Sequence, residues 1–182
     1  MSRDTSQFHI SGEEVRDHVD YAGLIEALDQ MHREDAANLS DLLLSEQGKA
    51  GTTNHFMVRA GWQPGRALGV KMASVFPSNR TGDLPSIQAS YVLFDGTTGS
   101  PLASIEGNEL TWRKTAADSA LGSLRLARAN CTTLLMVGAG AMAPHLIRAH
   151  ISACPKIKRI EVWNRSTDRR DRLIASLRPE FN

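Results

Sequence analysis

The feature that most restricts the fold is a short glycine turn. Gly138-Ala139-Gly140-Ala141-Met142-Ala143 reads G-x-G-x-x-A, and it follows the apolar run Thr132–Val137 directly. Behind it, Ala143, Leu146, Ile147, His150 and Ile151 recur at helical spacing, and Pro155 ends the pattern. A buried-type strand must therefore turn sharply into a helix. The first glycine permits the tight turn, the second leaves room for a ligand to approach the backbone, and Ala143 lets the helix lie close to the strand. Helix N–H groups facing such a turn suit a pyrophosphate. A second strand at Ile160–Trp163 completes a β–α–β unit. The expected ligand is therefore a dinucleotide, with Gly138, Gly140, Ala141 and Met142 as its phosphate-side contacts. The competing reading is a glycine turn that serves packing alone.

The end of that second strand bears on which dinucleotide. Asn164 stands about 20 residues beyond the turn, where an acidic residue would hold a ribose hydroxyl. No acid is present, and Arg165 and Ser166 are suited to a 2′-phosphate. NADP is accordingly favoured slightly over NAD. Arg169, Arg170 and Arg172 read as a solvated helix face.

The preceding chain has a different character. Ser11 and Glu14 form an S-x-x-E box, so a short helix is expected to run to about Asp17. A second helix follows Asp20 and continues, on the spacing of Leu39, Leu42 and Leu43, to about Gly48. Ala67–Phe76, Ile87–Phe94 and Pro101–Ile105 read as antiparallel strands, with Asp95–Gly99 as a hairpin connection. From Thr111 the period is again helical for about 20 residues. The fold class is α/β: a mixed α+β domain over 1–110, a linking helix over 111–130, and the first part of a doubly wound nucleotide-binding domain over 131–182. Two parallel strands are fewer than such a sheet requires.

Composition excludes several classes. Lys and Arg total 21 against 20 Asp and Glu, a net charge of +1, so neither a nucleic acid nor a membrane is indicated as partner. Two cysteines, Cys131 and Cys154, make no disulfide framework, and a reducing, cytoplasmic setting is expected. His55, His145 and His150 lack ligand spacing, so no metal is expected.

Three cationic positions remain. Lys71 shares a strand face with Ala67, Gly69, Ala73 and Val75, which describes either an anion-binding cavity or an open sheet face. Arg113 and Lys114 fall in the first turn of a helix starting at Thr111. Positive charge is disfavoured there unless a bound anion reverses the sign; two hydrated side chains are the alternative. Thr115 is a candidate hydroxyl donor to a cofactor phosphate.

Taken together, Gly69-Val70-Lys71, Pro77-x-Asn79, Asp95…Thr98-Gly99-x-Pro101-Leu102, Leu110-Thr111-x-x-Lys114-Thr115-Ala116-Ala117-x-Ser119-Ala120 and Val137-Gly138-Ala139-Gly140 resemble the ornithine cyclodeaminase/mu-crystallin family, from about Ile10 onward. The resemblance implies a dimer-forming substrate domain followed by a Rossmann NAD(P) domain, and a homodimer as the assembly. It implies that Lys71 contacts a substrate carboxylate and assists proton transfer, that Ser86 is a substrate-site hydroxyl, and that Thr115 touches the cofactor. Lys114 falls where the family usually carries an Arg, so the carboxylate clamp is expected to be less directional. The usual upstream Arg has no clear counterpart in the short Gly48–Trp62 segment, with Arg59 the nearest candidate. Family members are far longer, so the chain is expected to be an N-terminal part of a longer protein. The implied activity is hydride transfer at the α-carbon of a small amino or imino acid: cyclisation of ornithine to proline, or reduction of a cyclic imine such as pyrroline-2-carboxylate. The alternative is a truncated, non-catalytic ligand-binding or dimerising protein.

Overall fold

The computed structural model describes residues 8–34, 37–48, 51–82 and 84–181. The chain divides into two compact units, Met1–His18 with Glu34–Thr111, and Val19–Arg33 with Trp112–Asn182. Residues 19–33 thus group with the second unit rather than with their neighbours in sequence.

The first unit is built on one six-stranded sheet. Its strands are β1 (Phe8–Ile10), β2 (Asn38–Gln47), β3 (Thr53–Gln63), β4 (Ala67–Val75), β5 (Ile87–Asp95) and β6 (Pro101–Glu106), in the order β1-β6-β5-β4-β3-β2. β1 runs parallel to β6 and every other pair is antiparallel. Helix α1 (Gly12–His18) starts at the expected box: Ser11 N–H donates to Glu14 Oε2 at 2.8 Å and Glu14 N–H to Ser11 Oγ at 3.2 Å. Val15 is its buried residue.

Two expectations for this region are corrected. Helix α2 spans only Tyr21–Met31, and the leucines beyond it lie on β2. There the chain pairs with β3 along its whole length, from Asn38 opposite Trp62 to Gln47 opposite Thr53. Leucines at 39, 42, 43 and 44 suit a helical period, but here the ten residues of β2 lie in register with β3 as an edge strand. β3 itself occupies most of the segment expected to be a shortened connection.

Helix α3 spans Gly107–Leu126, starting one turn earlier than expected. The Glu106 carboxylate accepts the N–H groups of Asn108 at 2.9 Å and Glu109 at 2.8 Å, satisfying donors that an uncapped start would leave open. Arg113 and Lys114 consequently lie in the second turn. The positive end of the helix is not beside them, and the argument for an anion there lapses.

The second unit contains β7 (Thr133–Val137) and β8 (Arg159–Trp163), paired in parallel from Thr133–Arg159 to Val137–Trp163. Helices α4 (Ala143–Ala153) and α5 (Thr167–Leu177) cover one face. Ala143, Ile147, Leu173 and Leu177 pack there with Leu134, Met136, Ile160 and Val162. On the opposite face Leu135, Val137 and Trp163 remain exposed. A further core joins Ile25 of α2, Ala116, Ala117, Ala120 and Leu121 of α3, and Ala149 of α4. Alanines on α3 let the three helices approach closely.

Candidate functional site

The glycine turn forms as the spacing requires. Gly138 has φ +111°, a conformation that L side chains rarely adopt. Its N–H donates to Trp163 O at 2.8 Å, tying the turn to the end of β8. Ala139 N–H donates to Asn164 Oδ1 at 3.1 Å, and Asn164 Nδ2 donates to Ser166 O at 2.8 Å. The Asn164 side chain therefore braces the turn from both of its polar atoms. Ser166 caps α5, accepting from Arg169 N–H at 3.4 Å, while Arg165 is exposed.

Three observations describe the surroundings of this turn. A Cβ built on Gly140 meets no atom within 4 Å, so the glycine is not required by protein packing. Met142, the N-cap of α4, supplies no side-chain hydrogen bond to the first turn of the helix. Gly140 and Ala141 are both exposed. The Ala143 N–H donates to Gly140 O at 3.0 Å and Pro144 carries none, so an anion at this helix start would meet backbone N–H groups other than those two.

A neighbouring cluster was not legible from spacing. His145, in the first turn of α4, shares a 2.9 Å hydrogen bond with Tyr21 of α2 and lies 5.3 Å, centroid to centroid, from the Trp112 ring of α3. The Arg113 guanidinium sits 5.2 Å over the Tyr21 ring and donates to Val19 O at 2.5 Å. Arg113 is thus engaged in holding α2, and the cluster fixes the start of α4. Its members come from three separate elements, so no local pattern announces them.

Lys114 forms an ion pair with Asp118 one turn along α3. Thr115 is exposed, and its carbonyl accepts from Ser119 Oγ at 3.1 Å.

In the first unit, Lys71 sits at mid-strand between two neighbours in register, Arg59 on β3 and Tyr91 on β5. Side chains opposite one another share a face. The row continues to Asp41 on β2, whose carboxylate receives Arg59 Nε and Nη2, both at 2.7 Å. Arg59, the nearest candidate for a second carboxylate clamp, is held toward β2. The Tyr91 ring lies across Gly69: a Cβ there would fall 2.0 Å from the phenol oxygen. Burial raises the Tyr91 pKa above its ordinary value. Gly69 therefore makes room for an aromatic ring, and Lys71 itself is half-buried. Ser86 belongs to the same hairpin, just beyond its last pair, Val75 with Ile87; its carbonyl accepts from Phe76 N–H at 2.8 Å. Asn79 Nδ2 donates to Pro85 O at 3.1 Å, which closes that loop. Among the described residues no group of three or more His, Cys, Asp or Glu is arranged to hold a metal, and no helix is long and apolar enough to cross a membrane.

A mixed sheet carrying a central lysine, followed by a strand–glycine turn–helix unit, makes this an α/β protein. Residues 53–182 match the sequence profile of the ornithine cyclodeaminase/mu-crystallin family, and the chain belongs to that family. It is 46% identical over 110 residues to protein SAR DEFICIENT 4 of Arabidopsis thaliana, covering 60% of this chain and 34% of that one. It is 37% identical over 153 residues to the Delta(1)-pyrroline-2-carboxylate reductase of Paracoccus denitrificans, covering 84% of this chain and 47% of that one. The chain thus spans about a third to a half of the length of these relatives. Among solved structures, the Thermococcus litoralis Delta(1)-pyrroline-2-carboxylate reductase in complex with NADH and L-proline superposes with a TM-score of 0.83 at 22% identity, over 96% of this chain and 55% of that one. The iminosuccinate reductase of Paracoccus denitrificans in complex with NAD+ gives 0.77 at 24% identity, over 94% of this chain and 54% of that one. At such identities the superpositions establish the fold.

Proposed function

We propose that this chain is the cofactor- and substrate-contacting part of a nicotinamide-dependent enzyme acting on a small amino or imino acid, with NADP favoured slightly over NAD. The observation that carries the reading is the open space at Gly140 beside the uncapped start of α4. Family membership and the reductase relatives support it. Gly138, Gly140, Ala141 and Met142 would line the diphosphate, with Thr115 as a further contact and Arg165 and Ser166 toward the ribose. Asn164 contributes by holding Ala139 and the β8 end in place. A nicotinamide held by these residues would supply the hydride chemistry at the substrate α-carbon. Lys71 holds the substrate carboxylate and moves a proton at the substrate nitrogen or carbon, Ser86 adds a hydroxyl, and Lys114 adds a point charge when it leaves Asp118. Reduction of a cyclic imine such as pyrroline-2-carboxylate is the leading activity, and ornithine cyclisation the variant that shares its hydride geometry. Assembly is as a homodimer in the cytoplasm.

Fluorescence titration with NADH and NADPH tests the cofactor half. Micromolar binding supports it, and no binding up to millimolar cofactor would replace it with the second reading, a non-catalytic ligand-binding or dimerising protein. The ion pair that occupies Lys114 favours that second reading. With the complete protein, NAD(P)H oxidation on pyrroline-2-carboxylate and ammonia release from ornithine test the substrate half. Silence with both would overturn it.

A further inference from the structure

Cys131 and Cys154 lie at the two ends of the strand–turn–helix unit. Cys131 sits in the turn before β7, its N–H donating to Arg128 O at 3.0 Å. Cys154 follows α4, its N–H donating to His150 O at 2.9 Å and its carbonyl accepting from Ile157 N–H at 3.0 Å. The two turns are fastened together on both sides of Cys131. Lys156 Nζ donates to Ala129 O at 2.9 Å, and Thr132 O accepts from Lys158 N–H at 2.8 Å and Arg159 N–H at 3.1 Å. The two cysteines therefore stand in adjoining turns; burial first, and then the nearby Cys131 thiol, raise the Cys154 pKa. Both cysteines are free and half-exposed.

We propose that Cys131 and Cys154 are a redox pair that forms a reversible intrachain disulfide, closing a covalent loop around β7, the glycine turn and α4. With hydrogen peroxide as oxidant, one thiolate sulfur attacks an oxygen and the O–O bond breaks, giving a sulfenic acid and a hydroxide that takes up the proton lost from the thiol as the first water. The second thiol displaces the sulfenic oxygen as a second water, and the S–S bond forms. Two electrons pass from the sulfurs to the peroxide, and a dithiol reductant returns them, ending as a disulfide itself. The proposal does not depend on the cofactor reading.

The experiment treats the reduced, folded chain with hydrogen peroxide at a small molar excess, quenches with an alkylating agent, and measures intact mass without reductant. The expected product is a monomer lighter by two hydrogen atoms, with both thiols lost to Ellman titration and both restored by dithiothreitol. Peptide mapping should recover a Cys131–Cys154 link. Cys131→Ser and Cys154→Ser, each at a half-exposed position, should keep the far-ultraviolet dichroism of the parent and form no monomeric disulfide. Two thiols still titrating after treatment, oxygen added to a single cysteine, or dimers linked between chains would each overturn the proposal.

Discussion

At the scale of single residues, the two glycines of the turn separate folding from binding. Gly138 holds a positive φ, so Gly138→Ala is expected to cost about 1 kcal/mol or more, visible as a lower midpoint in urea. Gly140 has neither a positive φ nor a neighbour that a methyl would strike. Gly140→Ala should therefore keep the parent midpoint while weakening NADH and NADPH in the fluorescence titration. Equal loss of stability in both variants would contradict the division of labour. His150 gives a residue-scale pH effect. Burial lowers its pKa, because the buried site disfavours the imidazolium. The unfolded chain then takes up the proton first as pH falls past about 6.5, so stability is full above that value and declines below it. Thermal midpoints between about pH 7.5 and 5.5 should fall in the parent and fall less in His150→Gln.

At the scale of elements, caps and connecting ion pairs decide where helices begin and how they are held. The Glu106 carboxylate starts α3, and Glu106→Ala should cost about 1 kcal/mol, read from urea unfolding. Arg148 of α4 reaches Glu180 beyond α5 through two hydrogen bonds, at 2.7 and 2.6 Å. The guanidinium lowers the Glu180 pKa, so the pair's contribution is present at neutral pH and lost as pH falls through the folded value. Both side chains are about a third or more exposed, which limits that contribution to about 0.2–1 kcal/mol. Glu180→Gln should show this loss at pH 7 and converge with the parent in acid. Among the described residues, sequence reasoning located α1, α4, α5 and the strands β4 to β8, because each carries a cap, a breaker or a clear period. β3 shows how such a signal is missed. Phe56, Val58, Ala60 and Trp62 alternate, but His55 before them and Arg59 and Gly61 among them, with Gly51 and Gly65 on either side, resemble a loop.

At the scale of the whole molecule, exposed apolar surface is the dominant fact. Leu42, Leu44, Phe56 and Trp62 share one face of the six-stranded sheet by register, and each is at least 40% exposed. Contiguous surface of this kind marks interaction sites, and on the homodimer reading it is the surface that a second copy covers. Phe56→Asp combined with Leu42→Asp should then convert a dimer to a monomer in sedimentation equilibrium, with the strand signal retained. An unchanged molecular mass would place the contact elsewhere.

The sequence by itself determined the turn at Gly138, the cap at Ser11 and the position of Lys71 at mid-strand, because each depends on chemistry within a few residues. Only the tertiary structure decided what those groups face. It turned the 38–47 leucines into an edge strand, moved the start of α3 to Gly107, set Arg59 and Tyr91 beside Lys71, and made Asn164 a brace for Ala139. Strand pairing and side-chain hydrogen bonds join residues far apart in the chain, and no local period records which partner each will find.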